Sequence, residues 1–123
     1  MADVLTNVGE EWVASQLANT GALNIAATHG GYGTSVGAAA KTDTALGTEV
    51  DSRGAVTASL TGSGATAKAQ FVWTNTAGAT RAIVEAGLFS ASTAGSMFTS
   101  HDFSVINLNS GDSIQFTLTL DPA

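Results

Sequence analysis

Apolar and polar positions take turns with a period of two over the last third of the chain. From residue 80 to 89, Ala82, Val84, Ala86 and Leu88 alternate with Arg81, Ile83, Glu85 and Gly87, the spacing of a half-buried strand. After the small residues of 90–95, Met97, Thr99, His101, Phe103 and Val105 form one face of a second strand and Phe98, Ser100, Asp102 and Ser104 the other. Residues 107–112 interrupt the pattern. Ile114, Phe116, Leu118 and Leu120 then alternate with Ser113, Gln115, Thr117 and Thr119. Three such strands in succession predict an antiparallel meander.

Upstream the runs are shorter. Val56, Ala58 and Leu60 mark a strand over 53–61, and Ala67, Ala69, Phe71 and Trp73 mark another over 65–74; the Gly62-Ser63-Gly64 link makes the two a hairpin. Leu23, Ile25 and Ala27 predict a first strand over 22–28. Between His29 and Lys41 the chain is Gly, Ala, Ser and Thr apart from Val36 and one aromatic, Tyr32, and reads as a long loop of the kind that carries function or orders against a partner. Residues 43–49 are expected to form one helical turn with Leu46 inward. At the start the period is helical: Thr6 or Asn7 caps, Glu10 and Glu11 occupy the first turn, and Val8, Trp12, Val13 and Leu17 form the apolar stripe. Asn19-Thr20-Gly21 stops that helix. The expected fold class is mainly β, an antiparallel β-sandwich, jelly-roll-like, with a short N-terminal α-helix. It divides into a helical segment over 1–21 and a sandwich over 22–123, within a single domain.

Composition narrows the partners. Charged residues make up 11% of the 123 residues, against about 25% in ordinary proteins, which suits a surface that lies against other protein. The net charge is −6 with four Lys and Arg in all, so nucleic acid is not an expected partner. Six of the ten acids fall within the first 51 residues against one lysine, giving an acidic half that faces solvent or a basic partner. There is no cysteine. The opening residues lack a basic region and an apolar run, and no apolar stretch approaches about 18 residues, so neither a secretory leader nor a membrane span is expected.

Motifs that could carry chemistry are weak. Gly30-Gly31-Tyr32-Gly33-Thr34 resembles a phosphate cradle, but no lysine follows at P-loop spacing and a flexible surface loop is expected instead. Gly111-Asp112-Ser113 resembles the nucleophile motif of GDSL-type esterases, yet only ten residues follow and none is histidine; a turn is expected. His29 and His101 lack acids at metal-ligand spacing, and Asp43, Glu49 and Asp51 lack that of an EF-hand. Glu85 reads either as a buried, perturbed carboxylate or as an exposed one paired with Arg81. No catalytic, metal or cofactor residue is assigned.

One ordered set of segments remains: a helix with Trp12, a strand, Gly33-Thr34, Asp43-Thr44-Ala45-Leu46-Gly47-Thr48-Glu49-Val50, a strand with Arg53, Ile83-Val84-Glu85-Ala86-Gly87-Leu88-Phe89 and Ser110-Gly111-Asp112-Ser113-Ile114. Over residues 8–120 this order resembles a group of small tailed-phage virion proteins, known as head decoration (cement) or tail-fibre-like proteins. An Ala-rich stretch at 36–40 stands where that group would have a proline. The resemblance implies a non-enzymatic subunit used in many copies, as a homo-oligomer with a trimer favoured. It implies that the subunit is assembled in the host cytoplasm and grips the major capsid protein on the outer face of the virion. Residues assigned to the partner interface on this reading are Asp3, Val4, Trp12, Tyr32, Thr34 and Val36. The alternatives are a tail-fibre or baseplate component, and a carbohydrate-binding module stacking sugar on Trp12, Tyr32 or Trp73.

Overall fold

A computed structural model of the chain describes residues 2–18, 27–63 and 68–120. They form two antiparallel sheets and one helix. In chain order the elements are β1 (Ala2–Leu5), α1 (Asn7–Ala18), β2 (His29–Gly33), β3 (Glu49–Ala55), β4 (Thr57–Thr61), β5 (Lys68–Thr76), β6 (Arg81–Phe89), β7 (Met97–Leu108) and β8 (Ser113–Leu120). The larger sheet runs β1-β7-β6-β2-β3 and the smaller β4-β5-β8. The expected β-sandwich with a short N-terminal helix is therefore the observed class. Of the strand expected over 22–28, residues 22–26 lie outside the described residues and Ala27 and Thr28 are irregular.

The sheets face each other across one apolar cluster. Tyr32, Ile83, Ala86, Leu88 and Phe98 come from the larger sheet, Phe71 and Trp73 from the smaller. Phe116 of β8 stacks on Trp73 with centroids 5.2 Å apart and meets Tyr32 edge-on at 6.4 Å. The alternation predicted for β5 holds, with Phe71 and Trp73 inward.

β2 corrects the largest expectation. His29–Gly33 is the strand between β6 and β3, not the start of a surface loop. Its glycines are there because neighbours need the space. A Cβ built on Gly30 would lie 2.2 Å from Cε2 of Trp73, and one on Gly33 would lie 2.3 Å from Oε2 of Glu85. The Trp73 ring thus rests on bare backbone, and Asn75 Nδ2 donates to the Gly30 and Ser52 carbonyls at 3.1 and 3.2 Å. Among the described residues no acceptor reaches the Trp73 indole N–H, so close packing holds the ring.

The chain changes sheets three times. What looked like one strand over 53–61 is two, β3 and β4, bent at Val56, whose N–H donates to Thr28 O at 2.9 Å. The expected hairpin survives as β4–β5, with Thr57 opposite Val72 and Thr61 opposite Lys68. The meander is correct for β6–β7 but not for the last strand: β8 pairs with β5 across Ala69↔Leu120 to Thr76↔Ser113. The β5–β6 and β7–β8 turns, which carry these crossings, bond to each other through Ala77 N to Asp112 O at 2.8 Å and Gly111 N to Ala77 O at 2.7 Å.

Register breaks alter the predicted faces. Between Ile83↔Ile106 and Glu85↔Asp102 a single β6 residue opposes three of β7, so Ile83 faces inward with Ala86 and Leu88. A second break at Leu88/Phe89 sends Phe98 into the main core, while Met97 packs with Phe89 and Leu46 in a separate cluster.

Thr6 is the helix cap. Its Oγ1 accepts from Gly9 N at 3.1 Å and also donates to Met97 O and Phe98 O at 2.5 and 3.0 Å, fastening the joint between β1 and α1. Trp12 lies 5.0 Å from Phe98 and 6.4 Å from Phe71 by ring centroids, so the helix closes one end of the sandwich. Leu17, assigned to the apolar stripe, is 84% exposed, whereas Ser15, outside that stripe, is buried. Residues 43–49 contain no helical turn, although Leu46 is buried as expected.

Replacing Gly30 by alanine forces Trp73 off the strand. The G30A variant is expected to lose about 1–3 kcal/mol, the usual cost of overpacking a core, measured by urea denaturation; wild-type stability would contradict the packing described.

Candidate interaction surface

The loop from Thr34 to Thr48 lies across the outer face of β6 and β7 and is tied down from beneath. The bulge opposite Val84 places Glu85 on that face, buried, where its two oxygens accept from Gly47 N at 2.8 Å, Thr48 N at 2.9 Å and Ser35 N at 3.0 Å. Asp102 of β7 accepts from Ala39 N at 2.6 Å. Asp43, on the loop itself, accepts from Ala40 N at 2.9 Å and from Ser100 Oγ at 2.8 Å. Asn7 N donates to Lys41 O at 2.8 Å, and the Lys41 and Glu10 side chains form an exposed ion pair. Glu85 is thus buried, as one expectation had it. Its partners are backbone amides, and Arg81 goes elsewhere.

With the carboxylates turned inward, Val36, Gly37, Ala38, Thr42, Thr44 and Ala45 are left exposed, beside the ion-paired Lys41. Val36 is 84% exposed. A hollow of about 170 Å³ remains beneath, lined among others by Ser35, Asp43, Glu85, Ser100 and His101. Of these, Glu85 accepts backbone amides, Asp43 accepts the Ser100 hydroxyl as well as the Ala40 amide, and His101 Nε2 lies 2.9 Å from Thr99 Oγ1. Among the described residues no three His, Cys, Asp or Glu converge on a point where a metal could sit. Asp43, Glu49 and Asp51 serve three separate partners.

Two further polar clusters lock the frame. Arg53 of β3 grips Glu49 through Nε to Oε2 at 2.7 Å and Nη2 to Oε1 at 2.9 Å, and its Nη1 donates to Ala91 O and Ala94 O at 2.9 and 2.8 Å. Its guanidinium lies 3.5 Å from the Phe89 ring centroid, so one side chain holds the β6–β7 turn. Asp51, at a left-handed φ of 63°, accepts from Tyr32 Oη at 2.6 Å, Arg81 Nη2 at 3.0 Å and Gly78 N at 3.1 Å. Burial alone would push the Asp51 carboxyl up; hydrogen bonds from Arg81, Tyr32 and Gly78 outweigh it and hold the group below its ordinary range. Burial, and then the bond to Asp51 and its charge, push the Tyr32 phenol above its ordinary value.

The residues assigned to the interface separate into distinct places. Tyr32 is fully buried; its ring fills the core and its hydroxyl serves Asp51, so it cannot meet a partner. Trp12 is half-buried between Phe71 and Phe98. With Trp73 also buried, Trp12, Tyr32 and Trp73 form no joint exposed platform for a sugar. Asp3 and Val4 are on β1, opposite His101 and Ser100. Thr34 begins the loop, its N–H donating to Thr48 O at 2.9 Å, and Val36 is its most exposed apolar residue. Glu85, Asp102 and Asp43 were not assigned to the surface, since backbone donors leave no mark in a side-chain pattern.

Removing the Glu85 carboxylate frees three amides at once. E85A is expected to lose at least about 2 kcal/mol, given hydrogen bonds to charged groups, and to become cleavable by trypsin after Lys41 in the otherwise folded protein. An uncleaved loop would contradict the tie. The Tyr32–Asp51 pair sets a pH window. Folded Tyr32 holds its proton more tightly than the unfolded chain, so its contribution is complete below about pH 10 and lost above. Asp51, with a lowered proton affinity, contributes fully above about pH 4 and loses its share as pH falls. Y32F should cost about 1–3 kcal/mol at neutral pH and flatten the alkaline limb in denaturation midpoints measured against pH; an unchanged limb would contradict the assignment.

Compared with protein-family models, with curated proteins and with solved structures, the chain matches none.

Proposed function

We propose that the chain is a bacteriophage head decoration protein. It binds the outer surface of the assembled major capsid protein shell in many copies and stabilises the head by bridging neighbouring capsomers. The observation that carries this reading is the loop of residues 34–48, whose neutral outer side bears Val36 while Glu85, Asp102 and Asp43 hold it from within. The resemblance of the order of segments to small tailed-phage virion proteins is what suggests the capsid as partner.

Such a platform is ordered before contact, so little conformational entropy is lost when it docks. A subunit that binds assembled capsomers and not dissociated ones stabilises the shell by mass action. No bond is made or broken.

Purified particles should carry the chain in a copy number that scales with the number of capsomers; a handful per particle would replace this reading with a tail component. Val36→Glu, at a position too exposed to disturb folding, should weaken binding to undecorated shells at least about tenfold, the loss of a hot-spot contact. Unchanged binding would exclude the platform as the contact.

A further inference from the structure

Among the described residues the two sheets end in four strand edges, β1, β3, β4 and β8. Three are blunted. β1 has four residues, β4 has five, and β3 carries Glu49, Asp51 and Arg53 with the left-handed Asp51 in its middle. Short strands, charges and irregular backbone are the usual protection of an exposed edge. β8 has none of these. Ser113–Leu120 contains no charged residue, proline or glycine, its register with β5 is unbroken, and no described strand lies on its other side.

The flank beside it is open and apolar. Ile114, Phe116, Leu118 and Leu120 point into the sandwich yet stay half-exposed. Val105 and Ile106 of β7 are 53% and 38% exposed. A groove of about 520 Å³ runs here, lined by Phe103, Ile106, Phe116 and Leu118 together with Thr117 and Thr119.

We propose that this edge pairs with its own copy: two chains join in an antiparallel β8–β8 ladder about a two-fold axis at Thr117, making one sheet of six strands from two of three. The period of two fixes the register. With Thr117 opposite Thr117, Phe116 faces Leu118 and Ile114 faces Leu120, so the apolar rows continue on one side and Ser113, Gln115, Thr117 and Thr119 on the other. A shift of one residue would set apolar against polar throughout. Neutrality favours a second copy, because chains that each carry −6 approach most easily along an uncharged strip. The partner's Phe116 and Leu118 extend the apolar floor of the groove. The pairing is two-fold and self-complementary, unlike a trimer, which needs two different patches. It concerns the free chain and stands apart from the capsid reading.

Sedimentation equilibrium of the full chain should give twice the mass of one chain at micromolar concentration. In this register residues 114–120 form the ladder and Asp112 and Asp121 flank it in sequence, so added salt, which screens them, should strengthen the association. Thr117 is exposed, so T117E should fold with an unchanged circular dichroism spectrum and weaken association at least about tenfold by facing two like charges. The chain has no cysteine, and directly opposed residues of an antiparallel pair lie within disulfide reach. T117C should therefore oxidise to a covalent dimer while T57C, on the β4 edge, should not. A monomer or trimer at these concentrations, cross-linking through T57C instead, or full association of T117E would each overturn the proposal.

Discussion

The contact between Trp73 and the bare backbone of Gly30 is what the rest of the structure depends on. It brings the smaller sheet down onto the middle of the larger one at a place where any side chain would hold them apart. From that contact the neighbouring features follow. Phe116 stacks on the free side of Trp73, Asn75 reaches the carbonyls of β2 and β3, and β3 lies so close to β5 that a Cβ on Gly54 would meet Thr74 O at 2.1 Å. A strand poor in side chains is thereby made central by what packs on it.

Charge is used inward with similar economy. Glu85, Asp102 and Asp51 accept backbone amides, Arg81 meets Asp51, and Arg53 meets Glu49 and two carbonyls. Buried polar groups that are fully paired order the backbone around them. Here that order falls on a loop and a turn that would otherwise pay the entropy of being held still. Apart from the exposed Lys41–Glu10 ion pair, the outer side of the loop of residues 34–48 is left with uncharged residues, which suits contact with protein better than capture of a small charged ligand.

Much of this was legible in the alternation of single strands. β5, β6 and β8 were placed within a few residues because Phe71, Trp73, Leu88, Phe116 and Leu118 each repeat every second position beside polar neighbours. The cap was legible as Thr6 or Asn7, and Thr6 takes it by accepting Gly9 N. His29–Gly33 was not, since a strand that makes room for Trp73 and Glu85 has few side chains from which to read a period. Nor was the bend at Val56 visible, because a strand that changes sheets keeps its local chemistry. The bulges of β6 and β7 moved Ile83 and Phe98 to the core through pairing geometry, and pairing is a non-local fact. For the candidate surface, Thr34 and Val36 were named on a resemblance, and the structure places both in the loop of residues 34–48. Tyr32 was misplaced with its strand, and the carboxylates beneath the loop have partners that carry no sequence signal.

The central claim is therefore that a glycine-rich strand lies at the heart of the larger sheet and fixes everything that is laid upon it. Native-state amide hydrogen exchange of Gly31, Tyr32 and Gly33 tests it most directly. If β2 is bonded on both sides by β3 and β6, these three amides should exchange about as slowly as those of Leu88 and Phe71. Exchange at the rate of an open loop would contradict the account.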